Sequence, residues 1–457
     1  MSRTAVLRRM TASLRVRNFR LFTLGQLASV TGTWMMFTAQ DWLVLRMSDD
    51  SAGALGLVTA AQFTPVLLLT LLGGRLADRY DKRKLLIAAN GLLALLALAL
   101  AAVVLSGQPR LWHIVVCALG IGVVNAVEIP ARMAFVSEMV GSDLLPNASA
   151  LSAAYFNSAR VLGPAAAGIL IHVWGVPTVV LLNAVSYLGT LVALLRMRPS
   201  ELHRSGARPA RGGVAAGLRY IRGRPDLLLP LLLVAVIGLV GFNFQVTLPL
   251  LAKTVFGTGS ATFGLLTAAM AAGSLVAALM TTLRRGRPSE RTVLLGAGAF
   301  ALCELCSALA PSLPVALVAL GFTGLAMMVF AQAANHRLQL GTAPSYRGRV
   351  MALYTLVHQG TTPLGALLTG RLVERSGART GLGVAGAVCL VAVLVAWGVS
   401  IAVRAGRRER PKETTAEAPQ GVTAADPYDG LPTGTASGPE VRDSAWRPRK
   451  ERAFRRG

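Results

Sequence analysis

Long apolar runs alternate with short polar stretches along most of this chain. A helix needs roughly 20 apolar residues to cross a ~30 Å hydrocarbon core. Twelve runs reach that length and are predicted to be membrane-spanning helices: 19–45, 54–74, 85–106, 111–135, 148–172, 175–196, 227–251, 260–283, 292–310, 313–336, 349–371 and 380–403. The runs are continuous, whereas the strands of a membrane barrel show ~10-residue alternation. The predicted fold class is therefore an all-α membrane protein.

A polar linker divides the predicted helices into two groups of six. The predicted units are an N-terminal six-helix bundle at 1–196, a cytoplasmic linker at 197–226, a C-terminal six-helix bundle at 227–404 and a disordered basic cytoplasmic tail at 405–457. Residues 213–222 are predicted to form a short amphipathic helix. An internal repeat supports two related halves, since the spacing of Gly163 and Gly168 recurs at Gly365 and Gly370. Duplicated halves with a substrate site at their interface are typical of secondary transporters.

Composition and charge placement support a membrane protein. The chain is 53% hydrophobic and 15% charged, whereas about a quarter of the residues are charged in soluble domains. The net charge of +25 does not indicate nucleic-acid binding, because Arg and Lys concentrate in alternate loops. This bias follows the positive-inside rule and suits an anionic inner leaflet. It predicts a multi-pass protein of the inner (plasma) membrane with both termini in the cytoplasm.

A charged motif separates the second and third runs: Gly74-Arg-Leu-Ala-Asp-Arg-Tyr-Asp-Lys-Arg-Lys-Leu-Leu86. It resembles the loop-2/3 signature of the major facilitator superfamily, with Asp81 where that family usually has Gly. The resemblance implies a fold of two pseudo-repeated six-helix bundles and a cytoplasmic latch formed by Gly74, Asp78, Arg79, Lys82, Arg83 and Arg132. It further implies that Glu128 pairs with Lys82 or Arg79, and that Asp78 faces the start of the eleventh helix.

Further segments resemble the exporter branch that contains macrolide-efflux and enterobactin-exporter-type proteins. They are 129–134, 145–151, 157–164 and 347–351. Gly163, Pro164 and Gly168 resemble a shortened form of the antiporter motif on the fifth helix. Pro164 removes a backbone donor, and the small residues after it let a neighbouring helix approach closely. This stretch is therefore predicted to form a bend or a tight seam.

Ionisable side chains inside membrane helices are costly and mark candidate functional residues. Arg160 is predicted to lie ~18 Å into the fifth helix at 1.5 Å per residue, and it needs a counter-ion or a wet cavity. Asp41 and Glu128 are the candidate counter-ions, and all three residues are candidates for proton coupling. Asp41 has an equally weighted alternative, which is pairing near the outer interface.

Neutral polar residues on the predicted spans form a candidate cavity lining: Gln40, Gln62, Asn125, Asn157, Asn243, Gln245, Gln332, Asn335, His336 and His358. Taken singly, each such residue is more often an interhelical hydrogen bond worth ~0.6 kcal/mol. Their concentration on helices that border the cavity in the major facilitator fold indicates a shared site.

The expected function is secondary active transport. The chain has no G-x-x-x-x-G-K-[ST] motif and no His/Cys cluster with metal-ligand spacing, so no enzyme activity, cofactor or metal is expected. The resemblance implies a monomeric pump that uses protons to export small amphipathic molecules across the bilayer. Uptake of a metabolite and lipid translocation remain alternatives. A transport-inactive sensor would need the tail, so deletion of 405–457 separates it from a pump.

The charge asymmetry generates a test of topology. In a cysteine-free background, an impermeant thiol reagent added to intact cells is expected to label Gly257→Cys and to miss Ser205→Cys. Labelling of Ser205→Cys from outside would contradict the predicted orientation.

Overall fold

The computed structural model describes residues 12–203, 214–282 and 286–409, and helices form nearly all of them. The helices are α1 Arg17–Met47, α2 Ala52–Arg79, α3 Lys82–Leu105, a stretch Leu111–Leu195 that contains α4 (111–140), α5 (142–174) and α6 (176–195), then α7 Pro225–Val255, α8 Ser260–Thr282, α9 Glu290–Ala308, α10 Leu313–Gly341, α11 Pro344–Ser376 and α12 Ala378–Glu409. The predicted twelve-helix architecture is confirmed. The predicted tail beyond 409 and the linker residues 204–213 lie outside the described residues.

Most of these helices are apolar enough to cross a membrane. Eight described stretches meet that standard by length and hydropathy, and one of them is the long stretch that contains α4, α5 and α6. Helices α1 and α11 do not meet it, because polar residues interrupt their apolar faces. Polar faces on full-length spans indicate helices that border the interior of the bundle rather than lipid.

Helix breaks fall where the backbone needs glycine. Gly141 (φ 71°) separates α4 from α5, and Gly175 (φ 80°) separates α5 from α6. Glycine adopts this left-handed region without the steric penalty of a Cβ atom. Helix α7 is also broken, since Pro225–Val240 and Phe244–Leu250 are separate helical segments followed by a π-helical turn at Leu251–Val255.

The charged motif is almost entirely helical. Helix α2 continues to Arg79, and only Tyr80 and Asp81 stand between it and α3. The Asp81 carboxylate accepts a hydrogen bond from the Lys84 N–H at 3.1 Å and caps α3. An aspartate N-cap satisfies a free N–H of the first turn and lets a helix begin at once. The ten residues between the predicted spans 54–74 and 85–106 are therefore corrected to a two-residue turn between longer helices.

The bundle has two faces and two halves. The face at which α1 begins and α2 ends is called the basic face, because it carries the 75–84 charges; the other is the opposite face. The halves are α1–α6 and α7–α12. Helix α2 packs against α11 and α5 packs against α8, so these two pairs join the halves.

Backbone contact between the halves occurs near the opposite face. A Cβ atom placed on Gly56 would lie 2.5 Å from the carbonyl oxygen of Ala366, and one on Gly264 would lie 2.4 Å from that of Pro164. A Cβ atom on Gly168 would lie 2.7 Å from the Ser260 carbonyl oxygen. Small residues permit helices to approach this closely. The tight seam predicted around Pro164 and Gly168 is present.

The linker contacts both halves. On the N-terminal side, the His203 N–H donates to the Glu138 carbonyl oxygen at 2.7 Å. The predicted amphipathic helix is present at Val214–Arg222, and its Tyr220 ring stacks on Tyr346 of α11 at 4.5 Å. Each end of the linker is thus fixed to a different half.

The seam generates a prediction about packing. Gly264→Ala is expected to lower the midpoint of thermal unfolding in detergent, because overpacking a close contact costs about 1–3 kcal/mol. Gly259→Ala is the matched control, since a Cβ atom there would meet no atom within 4 Å. Equal midpoints for the two variants would contradict the close contact of α5 with α8.

Candidate functional site

A cavity of about 670 Å³ lies in the bundle. Its lining belongs almost wholly to the N-terminal half: Gln26, Ser29, Val30, Thr33, Trp34, Phe37, Gln62, Phe63, Val66, Asn90, Leu93, Asn125, Glu128, Ile129, Arg132, Met133, Val136, Ser149, Ser152, Ala153, Tyr155, Phe156, Asn157 and Tyr187. The C-terminal half contributes Gln245 and Gln359. The cavity lies within the ~300–1,000 Å³ range of small-molecule sites.

Aromatic side chains form one part of the wall. The Trp34 ring meets Phe37 at 5.8 Å and Phe156 at 6.2 Å between centroids, both in edge-to-face geometry. Such pairs are rigid and supply large apolar contact area. Tyr155 and Tyr187 add hydroxyl groups to this wall. An aromatic wall with interspersed amides suits a ligand that has both apolar and hydrogen-bonding groups.

One ion pair faces the cavity. Arg132 Nε and Glu128 Oε1 lie 2.9 Å apart, one helical turn apart on α4, and Tyr155 lines the same cavity. The predicted partners of Glu128 were Lys82 or Arg79, and this prediction is wrong. Lys82 pairs with Glu138 at 2.6 Å, because Glu138 lies further along α4 toward the basic face. Arg132 consequently belongs to the cavity wall and not to the latch.

Arg160 has a different partner from those predicted. Its Nη2 donates to Ser274 Oγ of α8 at 3.1 Å, and no described carboxylate lies within 4 Å of it. Arg160 lies one turn beyond Asn157 on α5, and it does not line the cavity. Gly163 of α5 packs on Trp34 of α1. Asp41 lies seven residues beyond Trp34 on α1, which is a distance of ~10 Å along the helix axis at 1.5 Å per residue. The expected pairing of Arg160 with Asp41 or Glu128 is therefore wrong.

The predicted cavity residues divide into two groups. Gln62, Asn125, Asn157 and Gln245 line the cavity, whereas Gln40, Asn243, Gln332, Asn335, His336 and His358 do not. Gln40 Nε2 donates to Oε1 of the lining residue Gln62 at 3.3 Å, but Gln40 itself does not line the cavity. Asn243 donates to the Leu239 carbonyl oxygen at 2.8 Å beside the break in α7. The cavity lies mainly against the N-terminal half, so the predicted polar residues of α10 and α11 fall outside it.

Residues of α1 that were not predicted form a large part of the site. Gln26, Ser29, Thr33 and Phe37 recur every three or four residues, which places them on one face of the helix. This spacing is a sequence signal that could have found them. Gln359 was also not predicted, although it is a polar residue on a predicted span beside the predicted His358.

The predicted latch residues take separate roles. Arg83 donates to the carbonyl oxygens of Leu194 and Leu195 at 2.8 and 3.1 Å and ties α3 to α6. Asp78 and Arg79 are exposed, and Asp78 makes no hydrogen bond or ion pair with the residues that the structure describes. A Cβ atom on Gly74 would meet no atom within 4 Å. The latch is not engaged in this structure.

Polar contacts close the seam at the opposite face. Lys253 of α7 forms an ion pair with Asp50, just before α2. The Glu374 carboxylate of α11 accepts hydrogen bonds from the Gly53 N–H at 2.8 Å and from Ser51 Oγ at 3.2 Å. None of these three contacts was predicted from sequence. They link the halves across a loop–helix junction that carries no recognisable motif.

Two joined six-helix halves around a cavity define a membrane transporter. Residues 9–423 match the family model described as transmembrane secretion effector. The chain belongs to this family, and its prediction as a major facilitator exporter is confirmed.

Curated relatives agree with this assignment. The chain is 25% identical to the multidrug efflux pump Tap of Mycobacterium tuberculosis over 78% of this chain and 87% of that protein. It is 26% identical to the enterobactin exporter EntS of Shigella flexneri, over 78% and 84%. It is 29% identical to the staphyloferrin A transporter of Staphylococcus aureus, over 54% of this chain and 63% of that protein.

Solved structures share the fold. A bacterial homologue of the human lysosomal transporter Spinster, in an inward-facing and occupied conformation, superposes with a TM-score of 0.68 at 14% identity, over 85% of this chain and 97% of that one. The nucleoside transporter NupG has the same TM-score at 10% identity, over 83% and 98%.

The aromatic wall generates a prediction about binding. Trp34→Ala is expected to weaken binding of labelled tetraphenylphosphonium, an amphipathic aromatic probe, by about tenfold, because an edge-to-face cluster loses its central ring. Trp112→Ala is the control, since Trp112 is exposed and outside the cavity. Equilibrium binding to the purified protein in detergent measures the effect. Unchanged affinity in Trp34→Ala would argue against this cavity as the site.

Proposed function

We propose that this transporter exports small amphipathic molecules and draws energy from protons entering the cell. The observation that carries the proposal is the cavity with aromatic, amide and paired charged groups on its walls. The printed names of two relatives, an efflux pump and an exporter, support the direction of transport. The two halves then expose the cavity alternately to the two sides of the membrane, as in other duplicated transporters.

The lining favours ligands of low net charge. Among the residues that the structure describes, its ionisable members of opposite charge, Glu128 and Arg132, neutralise each other. The remaining polar groups are amides and hydroxyls, which donate and accept hydrogen bonds without charge. Aromatic rings supply the apolar contact. A hydrogen-bonding amphiphile fits this balance better than a highly charged metabolite does.

Glu128 is the proposed proton-coupling residue. It lines the cavity, so a proton can reach it from whichever face is open. Protonation of the Glu128 carboxylate removes its charge and with it the attraction to Arg132. Arg132 and Tyr155 are then free to bind an acceptor group on the ligand. Ligand and proton thus compete for one polar centre, and this competition produces exchange in opposite directions.

Asp41 is the second coupling candidate, and its position is less suitable. It is buried, with 7% of its surface exposed, and it does not line the cavity. Within the described residues it has no hydrogen-bond partner. Arg160, by contrast, is proposed to hold α5 against α8 through Ser274. Its replacement is expected to impair transport through loss of the inter-half contact.

Reconstituted transport tests the coupling assignment. In proteoliposomes, Glu128→Gln is expected to abolish ligand movement driven by an imposed pH gradient and to retain ligand exchange without a gradient. Glu138→Gln is the matched control, because Glu138 lies on the same helix in an ion pair outside the cavity. Full gradient-driven transport by Glu128→Gln would refute the assignment. Loss in Asp41→Asn alone would transfer the role to Asp41.

A further inference from the structure

We infer that Arg160 binds a single oxyanion, such as a carboxylate, on the transported molecule, so that the protein selects amphiphiles with one negative charge. The inference rests on the export function proposed above and narrows its class of ligand. Three features carry it: the charge balance of the helices, the donors of the guanidinium and its position beside the cavity.

Arg160 is a cation inside the bundle without an acidic partner. A guanidinium keeps its charge in proteins, and a charge within a membrane span is costly unless another group compensates it. Arg132 is compensated by Glu128 at 2.9 Å, and Arg337 lies 3.7 Å from Glu290. For Arg160, no acidic group lies within 4 Å among the residues that the structure describes. Its charge is therefore available to an anionic group on a ligand.

The guanidinium also has more donors than its one hydrogen bond uses. Nη2 donates to Ser274 Oγ at 3.1 Å, and the Ser274 hydroxyl in turn lies 3.0 Å from the Gly324 carbonyl oxygen and 3.1 Å from that of Met270. Within the described part of the chain, Arg160 has no other hydrogen-bond acceptor. It is only partly buried, so a further group can reach it. A planar fork of N–H donors matches the geometry of an oxyanion.

Helices α5 and α8 pack antiparallel, which fixes the level of this guanidinium in the bundle. A Cβ atom on Gly264 of α8 would meet Pro164 of α5. One turn earlier on α8, Ser260 donates to the carbonyl oxygen of Gly168, one turn later on α5, at 3.1 Å. A step toward the basic face along one helix is therefore matched by an equal step along the other.

This register places the guanidinium level with the cavity. Ser274 lies ten residues beyond Gly264 toward the basic face, which is ~15 Å at 1.5 Å per residue. The same step along α5 leads from Pro164 to position 154, between the lining residues 153 and 155. Side chains of a helix lean toward its N-terminus, so Arg160 extends back along α5 in this direction. Its charged group lies near the wall, although Arg160 does not itself line the cavity.

One negative charge on an amphiphile suits this arrangement. The aromatic wall at Trp34 and Phe156 adjoins the same stretch of α5 and takes the apolar part of a ligand. Glu128 and Arg132 already neutralise each other, so a second negative charge would lack a partner of its own. The ligand class is therefore an amphipathic body, preferably aromatic, that carries one carboxylate or other oxyanion.

A matched pair of probes tests the inference. Labelled naphthylacetate and naphthylacetamide share one skeleton and differ in the charge of a carboxylate against an amide. Equilibrium dialysis against the purified protein in detergent is expected to show tighter binding of the carboxylate. Arg160→Gln is expected to weaken naphthylacetate binding roughly tenfold or more, because a hydrogen bond to a charged group is lost, and to leave naphthylacetamide binding nearly unchanged. Arg160→Lys keeps the cation and should retain most of the preference.

Ser274→Ala distinguishes a ligand contact from a purely structural one. It removes the hydrogen bond between Arg160 and α8 but keeps the charge, so the preference for the carboxylate is expected to persist. If Arg160 only joined α5 to α8, Ser274→Ala and Arg160→Gln would weaken both probes alike. Arg379→Gln is the control for loss of a cation elsewhere, since Arg379 is exposed and donates to the Ala310 carbonyl oxygen outside the cavity. It is expected to bind both probes as the parent does.

The source of the anion is settled by the buffer. With gluconate as the buffer anion, and again with chloride, the parent is expected to bind naphthylacetate equally well. A loss in chloride that Arg160→Gln abolishes would assign the charge to an inorganic anion and overturn the inference.

Equal affinity of the parent for the two probes would also overturn it, and so would an unchanged preference in Arg160→Gln. Trp34→Ala separates these failures from failure of the proposed function. If Trp34→Ala leaves both affinities unchanged, the cavity is not the ligand site and the proposed function fails with it. If Trp34→Ala weakens both probes while Arg160→Gln keeps the parental preference, the role of Arg160 alone is wrong.

Discussion

Close backbone contact between the halves determines how the rest of this molecule is arranged. At the opposite face, glycines of α2, α5, α8 and α11 bring main chains together at distances that leave no room for a Cβ atom. In lipid, helices gain little from apolar burial against each other, so association depends on such packing and on interhelical hydrogen bonds. The seam therefore fixes where the halves meet, and the remaining space between helices becomes the cavity.

The cavity's asymmetry follows from this arrangement. Helices α1, α2, α4 and α5 turn polar and aromatic faces inward, whereas the C-terminal half contributes only Gln245 and Gln359 to the lining. A ligand held mainly by one half can stay bound while the other half moves across it. The Glu128–Arg132 pair lies on this cavity wall, where the proposed mechanism has ligand and proton compete for it. This position explains why a single ion pair suffices for exchange in the proposed mechanism.

Hydropathy was enough to predict the fold. A span in lipid must satisfy its own backbone hydrogen bonds as a helix, so each span is visible in the sequence as an apolar run of membrane length. The site was harder to predict. Gln62 and Asn125 were found as polar residues on apolar helices, but the same criterion selected His336 and His358, which lie outside the cavity. Which polar residues face the cavity depends on how the helices pack against each other, and hydropathy does not reveal that packing. The pairing of Lys82 with Glu138 likewise depends on how α3 and α4 cross, which no spacing in the sequence reveals.

The central claim is that the opposite face must open once in every transport cycle. Covalent bridging tests it most directly. In a cysteine-free protein carrying Ser51→Cys and Glu374→Cys, whose side chains replace a 3.2 Å contact, a short bifunctional thiol reagent is expected to stop transport in proteoliposomes, and a reductant is expected to restore it. Undiminished transport by protein shown by mass spectrometry to be fully bridged would contradict the account.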